Sequence, residues 1–338
     1  MSRRTAPAAA RSGFDDSRKE RAQLKTQAAS AKSRKMHSHS LVYDAKKNWQ
    51  LYLMLLLPVA YIIIFAYIPM GGATIAFKDY RIKKGVWGSP WVGLQHFENF
   101  FTTPNFWMLL KNTLVLSLYS LLASFPFPIL LALAINECAS RKYRKTVQMI
   151  TYAPYFISTV VLVGIMSNFF SLRTGFVNSI AKLIGAEQIN YMGISSLFRH
   201  MYVWSGVWQS AGYSAVIYIA ALSSVDFSLV EAAQIDGAGR LRRIWHIDIP
   251  TILPTIVIQL ILAVGSIMGI GFEKVYLMQN PINLDVSEII STFVFKRGMT
   301  QFQYSYATAV GLFNSIINLI LIVLANMFAS KVGSTSLF

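Results

Sequence analysis

From residue 49 onward the chain is a series of long apolar runs separated by short polar breaks. A helix that crosses a bilayer needs about 20 mostly apolar residues. Six stretches reach that length: 49–68, 112–135, 147–170, 201–225, 251–272 and 304–329. None contains Asp, Glu, Lys or Arg. The runs are too long for strands of a barrel and lack the alternation of period two that such strands require. Pro58, Pro126 and Pro128 lie inside spans, which bundled membrane helices tolerate because neighbours satisfy the freed backbone groups. The pattern therefore predicts an all-α membrane protein with six transmembrane helices over 47–338.

The polar breaks predict an orientation. Residues 1–48 hold twelve Lys and Arg against four Asp and Glu, which is half of the formal net charge of +16. With this tail inside, the inner segments 1–48, 136–146, 226–250 and 330–338 carry 12, 4, 3 and 1 basic residues, or 20 of the 31. The excess of Lys and Arg on one side places both termini in the cytoplasm. Lys78, Arg81, Lys83 and Lys84 in the break at 69–105 weaken the bias locally. Residues 1–46 have few large apolar side chains, so they predict a basic, disordered cytoplasmic tail that touches anionic lipid. The first apolar run starts too far along and is too long for the core of a cleaved signal peptide. The break at 69–105, with Gly85, Gly88, Pro90 and Gly93, reads as a turn-rich outer cap.

Hydrophobic residues make up 54% of the 338 and charged residues 14%, well below the quarter typical of soluble domains. A soluble enzyme is excluded. One cysteine, Cys138, and five scattered histidines leave no metal site. No aromatic residues interleave with the tail's charges, so nucleic acid is not a partner. The chain has no phosphate-binding Gly-x-x-x-x-Gly-Lys-Ser/Thr loop and none of the common hydrolase or dinucleotide motifs. It therefore does not hydrolyse ATP itself. No span carries the buried acid of a proton-driven pump, which counts against a secondary ion-coupled carrier. A membrane-embedded enzyme would need a charged or nucleophilic cluster at membrane depth, and none is found.

The break at 226–250 is the most informative. It reads as two short amphipathic helices around a glycine break. Asp226 or Ser228 caps the first helix, and Gly237 and Gly239 permit the left-handed backbone that ends it. Ile244, Trp245 and Ile247 give the second an apolar face beside Arg240, Arg242 and Arg243, and Pro250 and Pro254 stiffen the return. Glu231-Ala232-Ala233, then Asp236-Gly237-Ala238, then Ile247 and Pro250, resemble the EAA loop of ATP-binding-cassette (ABC) importer permeases of type I. Trp245 stands where that family more often has Phe. The likeness extends more weakly over 46–338. The phrase from Tyr67 to Tyr80 and that from Gly88 to Phe97 resemble the branch that imports polysaccharide fragments such as those of pectin or alginate.

The resemblance implies a type I permease fold with a cytoplasmic coupling helix and a place in the bacterial inner membrane. It implies partners: a second, homologous permease, two ATPase subunits that hold ATP and Mg, and an external solute-binding protein that delivers the oligosaccharide. The first helix would pack on the partner permease and leave five around the pathway. Glu231, Ala232, Ala233, Asp236, Gly237, Ala238, Arg240, Trp245, Ile247 and Pro250 would couple to the ATPase. A permease for another small solute is the rival reading within this class. Uncharged polar and aromatic residues in the spans are the candidates for the sugar path: Trp208, Gln209, Tyr213, Tyr218, Gln259, Asn314 and Asn318, with Glu273 at the outer end of span five. Asn314 and Asn318 are four apart and share a face. The neighbours Glu273 and Lys274 read as belonging to a salt-bridged gate rather than a ligand site. The bland reading of these polar groups is helix-to-helix hydrogen bonding.

Overall fold

Residues 47–332 are described by the computed structural model. The basic tail predicted over 1–46 lies outside the described residues. The chain divides into two units, Met1–Gly71 and Gly72–Phe338. In the first, α1 (Trp49–Ile62) carries Pro58 in its interior and passes through a π-helical turn, Ile63–Tyr67, into Ile68–Met70.

In the second unit, the break after Gly72 folds into short helical pieces that include Ile82–Lys84 and Gln95–Phe101. A single antiparallel bridge, Lys78 to Trp91, closes it, and the described residues contain no strand. The long helices follow. α2 (Phe106–Ser124) runs through Phe125 into α3 (Pro126–Asn136), where proline occupies the first turn, a position that needs no N–H donor. α4 (Arg141–Tyr152) starts at Ser140, whose hydroxyl accepts from the Tyr143 N–H, and α5 (Thr159–Phe169) starts in the same way at Ser158. α6 (Ser195–Leu222) is followed by α7 (Phe227–Ile235), α8 (Ile249–Gly265), α9 (Phe272–Met278), α10 (Ile290–Phe295) and α11 (Tyr304–Val332).

Four helices are long and apolar enough to span: Trp49–Phe77, Phe106–Asn136, Arg240–Gly265 and Tyr304–Met327. The number rises to six when each of two bent pairs counts as one span. The first bend differs from the straight span expected at 147–170, whereas the second lies at 223–226, where the span expected at 201–225 ends. Arg141–Phe156 turns by 95° into Thr159–Phe169, and Ser195–Leu222 turns by 81° into Phe227–Ile235. Ile157 is extended, and Ser158 begins a new helix rather than continuing the old one. Span five also differs. It begins at Arg240 and stops at Gly265, where a 3-10 turn, Ile267–Gly269, interrupts it seven residues before the expected end at 272.

α6 is the central post of the unit. Phe198, Tyr202, Val203 and Val207 on it share a core with Leu116, Leu162, Val163, Met166 and Val275. Further along it, Ala215, Tyr218 and Leu222 join Ala132, Leu133 and Ile252. A third cluster gathers Phe100, Phe106, Leu109, Met268, Phe293 and Val310 around the start of α11. Gly212 lets α6 approach α4, because a Cβ there would lie 2.0 Å from the Thr151 carbonyl oxygen. Small residues at helix crossings are how membrane bundles bring backbones close.

Candidate functional site

The 226–250 break forms a protrusion that is built by local rules. The Asp226 carboxylate accepts the Ser228 N–H at 2.9 Å, and this hydrogen bond holds its pKa below the usual carboxylate value. At the other end of α7, the Gly237 N–H reaches the Gln234 carbonyl and the Ala238 N–H reaches that of Ala233. This double closure needs a left-handed residue at its centre, and Gly237 supplies it at φ +75°. Gly239 was expected to be left-handed too. It is extended instead, with φ −68° and ψ 167°, and opens the next helical segment.

That segment is not a separate second helix. Arg240–Arg243 continues through a π turn, Ile244–Asp248, directly into α8. Pro250 has no N–H to donate, and its ring crowds the carbonyl four residues back, so a wider turn just before it suits the chain. The expected apolar face also splits. Ile244 packs into the core with Ile252 and Leu222, while Trp245 points out, 69% exposed. Ile235 and Leu241 are more exposed still, and Glu231, Asp236 and Arg240 are exposed beside them. A cluster of exposed large apolar residues rimmed by charge marks a surface for another protein.

An ion pair ties the protrusion to the bundle. The Arg243 guanidinium donates to a Glu137 carboxylate oxygen at 2.8 Å, with only 13% and 17% of the two side chains exposed. Arg144 donates to the carbonyls of Asn136 and Cys138, so the turn after α3 is held from both sides. Asp248 is buried at the same junction. Glu137 and Arg144 were not singled out in the sequence as site residues. Their only signal was a place in the densest basic break.

A second feature is a cavity of about 560 Å³ between α2, α3, α6 and α8. Tyr213, Tyr218 and Gln259 from the expected sugar path all line it. Tyr155, Ser124, Ser210 and Ser214, which the sequence reading missed, line it as well. The Tyr155 and Tyr213 rings stack with centroids 3.9 Å apart and planes 7° from parallel. Tyr155 reaches the cavity because the chain bends immediately after it.

The other expected path residues lie elsewhere. Gln209 donates to the Ile157 carbonyl at 2.7 Å and so secures the bend of the α4–α5 pair. Asn318 accepts the Met268 N–H at 3.0 Å, and Asn314 donates to the Met268 carbonyl at 3.2 Å. The shared face of the two asparagines thus serves the 3-10 turn that ends α8. Trp208 is exposed on α6, outside the cavity lining. Glu273 is exposed, while the Lys274 ammonium is buried, donating to the Tyr202 carbonyl at 2.8 Å and facing the Tyr202 ring. No ion pair joins Glu273 to Lys274 among the described residues. The described residues also contain no cluster that could hold a metal ion.

A bundle of span-length helices with an aromatic cavity carrying hydroxyl and amide groups and a protruding helix–glycine–helix element is the build of a membrane permease. Residues 124–334 match the family described as binding-protein-dependent transport system inner membrane component, and the chain belongs to that family. Protein LplB of Bacillus subtilis (strain 168) is 44% identical over 293 residues, covering 87% of this chain and 92% of LplB. The polygalacturonan/rhamnogalacturonan transport system permease protein YteP of the same organism is 45% identical over 288 residues, covering 85% and 90%. The fold is matched in the crystal structure of a bacterial alginate ABC transporter in complex with an alginate pentasaccharide-bound periplasmic protein. There the TM-score is 0.81 at 39% identity, over 88% of this chain and 99% of that one. The chain is a permease subunit of an ABC importer and not an enzyme. As such it works with a substrate-binding protein, and family membership sets aside the reading as an ion-coupled carrier.

Proposed function

We propose that this chain carries oligosaccharides cut from an acidic polysaccharide, such as pectin or alginate, into the cytoplasm. The observation that carries the reading is a continuity within α6. Its Tyr213 stacks on Tyr155 in a cavity that also presents serine hydroxyls and the Gln259 amide, and its end leads within a few residues into the EAA protrusion. Stacked aromatic rings beside hydroxyl and amide groups suit the flat apolar faces and polar edges of sugars. The names of YteP and of the alginate transporter support the substrate class.

In this reading the chain crosses the inner membrane six times with both termini inside, with residues 141–169 forming one bent crossing and Ser195–Leu222 another. It pairs with a second, homologous permease. Two ATPase subunits, which hold ATP and Mg, each grip one EAA protrusion. Glu231, Asp236 and Arg240 meet the ATPase surface by charge and hydrogen bonds, and Trp245 fills an apolar socket. Ala232, Ala233 and Ala238 permit close approach, and Gly237, Ile247 and Pro250 shape the protrusion. Tyr213, Tyr218 and Gln259 face the sugar, with Tyr155, Ser210 and Ser214 beside them. When ATP draws the ATPase subunits together, the protrusion moves as a rigid body, α6 and α8 tilt, and access to the cavity switches sides.

The test uses the complete complex in proteoliposomes with binding protein and labelled trigalacturonate. Glu231→Lys and Gly237→Asp each abolish uptake and substrate-stimulated ATP hydrolysis while all subunits still copurify. Normal uptake in both variants overturns the reading.

A further inference from the structure

We infer that this chain bears a second, peripheral binding site for acidic oligosaccharides, in a groove at the end of the bundle opposite the protrusion. The inference rests on the proposed import of such sugars, and it adds a site outside the cavity between the helices.

The position follows from the continuous pair α2–α3. Thr103, just before α2, hydrogen bonds the Tyr306 hydroxyl at 3.0 Å in the wall of the groove. Glu137, just after α3, pairs with Arg243 in the protrusion. A span-length helix therefore separates the two features.

Two adjoining cavities, of about 520 and 420 Å³, make up the groove, and Tyr80, Phe302 and Tyr304 line both. Each is within the size range of small-molecule sites. The Tyr304 ring meets Tyr80 edge-on at 6.0 Å and Phe302 at 6.3 Å, so the rings form a ridge between the cavities. This ridge is built at a cost. Phe302 is the one non-glycine residue at positive φ among the described residues, at +56°, yet its ring is 68% exposed. A bulky side chain held in that conformation and left facing solvent is poorly explained by packing, and such strain concentrates at ligand sites. The backbone on either side is fixed: the Gln301 N–H reaches the Lys296 carbonyl, and the Gln303 N–H reaches that of Arg297. Across the groove, the Tyr80 N–H donates to the Ser305 hydroxyl at 2.9 Å.

The charges select the ligand. Arg81, Lys83 and Lys84 line the cavity on one side of the ridge, and all three are exposed. Asp79 offsets one of them through its 2.9 Å pair with Arg81. The ammonium groups of Lys83 and Lys84 have no ion-pair partner among the described residues. On the other side, Asn99 and Gln303 offer amide groups to hydroxyls. An extended uronate chain fits this order: one sugar on the amide side, a ring face against the aromatic ridge, and carboxylates on the lysines.

The experiment measures binding of trigalacturonate, and of its fully methyl-esterified form, to the intact complex in nanodiscs without binding protein, by saturation-transfer NMR. Wild type binds the acid at least tenfold more tightly than the ester, and 0.5 M NaCl erodes the difference. The double variants Lys83→Glu/Lys84→Glu and Tyr80→Ala/Tyr304→Ala each weaken acid binding at least tenfold, whereas Lys182→Glu, an exposed lysine outside both cavities, changes it less than twofold. The lysine pair is solvent-facing, so loss in that variant is not a folding defect. The groove is not a sugar site if wild type shows no preference for the acid or if both double variants bind like wild type. Nor is it one if binding disappears only with Tyr213→Ala, or if the double variants lose only the ATPase stimulation by binding protein. Failure of wild type to import trigalacturonate with binding protein present is a separate outcome. It overturns the proposed substrate class itself.

Discussion

At Gly237 the backbone sits at φ +75°, with no neighbouring atom within 4 Å of where a Cβ would stand. The demand for glycine there is conformational and not one of space. A left-handed alanine costs about 1 kcal/mol or more, so Gly237→Ala loosens the end of α7 and should lower uptake several-fold without reducing subunit assembly. Gly239 also has open space around it, but its backbone is extended, so Gly239→Ala should transport within twofold of wild type. Uptake assays on the two variants side by side check the distinction. The sequence placed both glycines at the break but did not separate their roles, because composition does not record which residue closes the helix. Glu231, the alanines and Asp236 stand out in the sequence because their spacing is long and distinctive. Glu137 was not, because its partner Arg243 is 106 positions away.

Continuous apolarity hides direction, which is why the bend inside 147–170 was not legible. The run at 147–170 shows no charge at the point where the chain turns by 95°. Hydropathy counts length, and only the small signals of Pro154, extended Ile157 and the Ser158 cap mark the break. That bend carries Tyr155 to the cavity, so missing it meant missing half of the stacked pair. Just before the bend, α4 packs closely on α6 at Gly212, where a Cβ would clash with the Thr151 carbonyl oxygen. A valine there must push backbone against backbone, and overpacking of this kind costs about 1–3 kcal/mol or more. Gly212→Val should lower the apparent Tm of the purified complex by several degrees, whereas Gly164→Ala, with nothing within 4 Å of its Cβ position, should not. The Glu137–Arg243 pair gives a second prediction at this scale. Removing one partner of a largely buried pair leaves the other charge uncompensated. Glu137→Ala and Arg243→Ala should therefore each impair substrate-stimulated ATP hydrolysis, and the double variant should be less impaired than the sum of the two. Strict additivity in that cycle would show that the pair does not act as a unit.

Over the whole permease unit, the distance between cavity and protrusion decides how motion passes from one to the other. From Tyr213 to Leu222 along α6 is nine residues, or about 14 Å of helix. Only Ser223, Ser224, Val225 and the cap Asp226 separate that end from α7. The protrusion is also continuous with α8 through Arg240–Asp248, and α8 supplies Gln259 and Ala263 to the cavity wall. The first connection is a four-residue turn and the second is continuous helix, so displacement of the protrusion moves two walls of the cavity together. A flexible insert should break this link without disturbing either end. Two glycines inserted after Ser224 should leave assembly and basal ATP hydrolysis near wild type but remove most substrate stimulation and uptake. The same insert in the exposed break at 185–190, beyond the far end of α6, should leave both intact. Tyr155→Ala and Tyr213→Ala provide the opposite separation. They should raise the half-saturating sugar concentration for uptake several-fold while stimulation at saturating sugar persists, because the mechanical path through α6 and α8 is unbroken. If the insert after Ser224 left uptake intact, motion would have to reach the cavity through the Glu137–Arg243 pair and α3 instead, and the rigid coupling of α6 and α8 to the protrusion would be wrong.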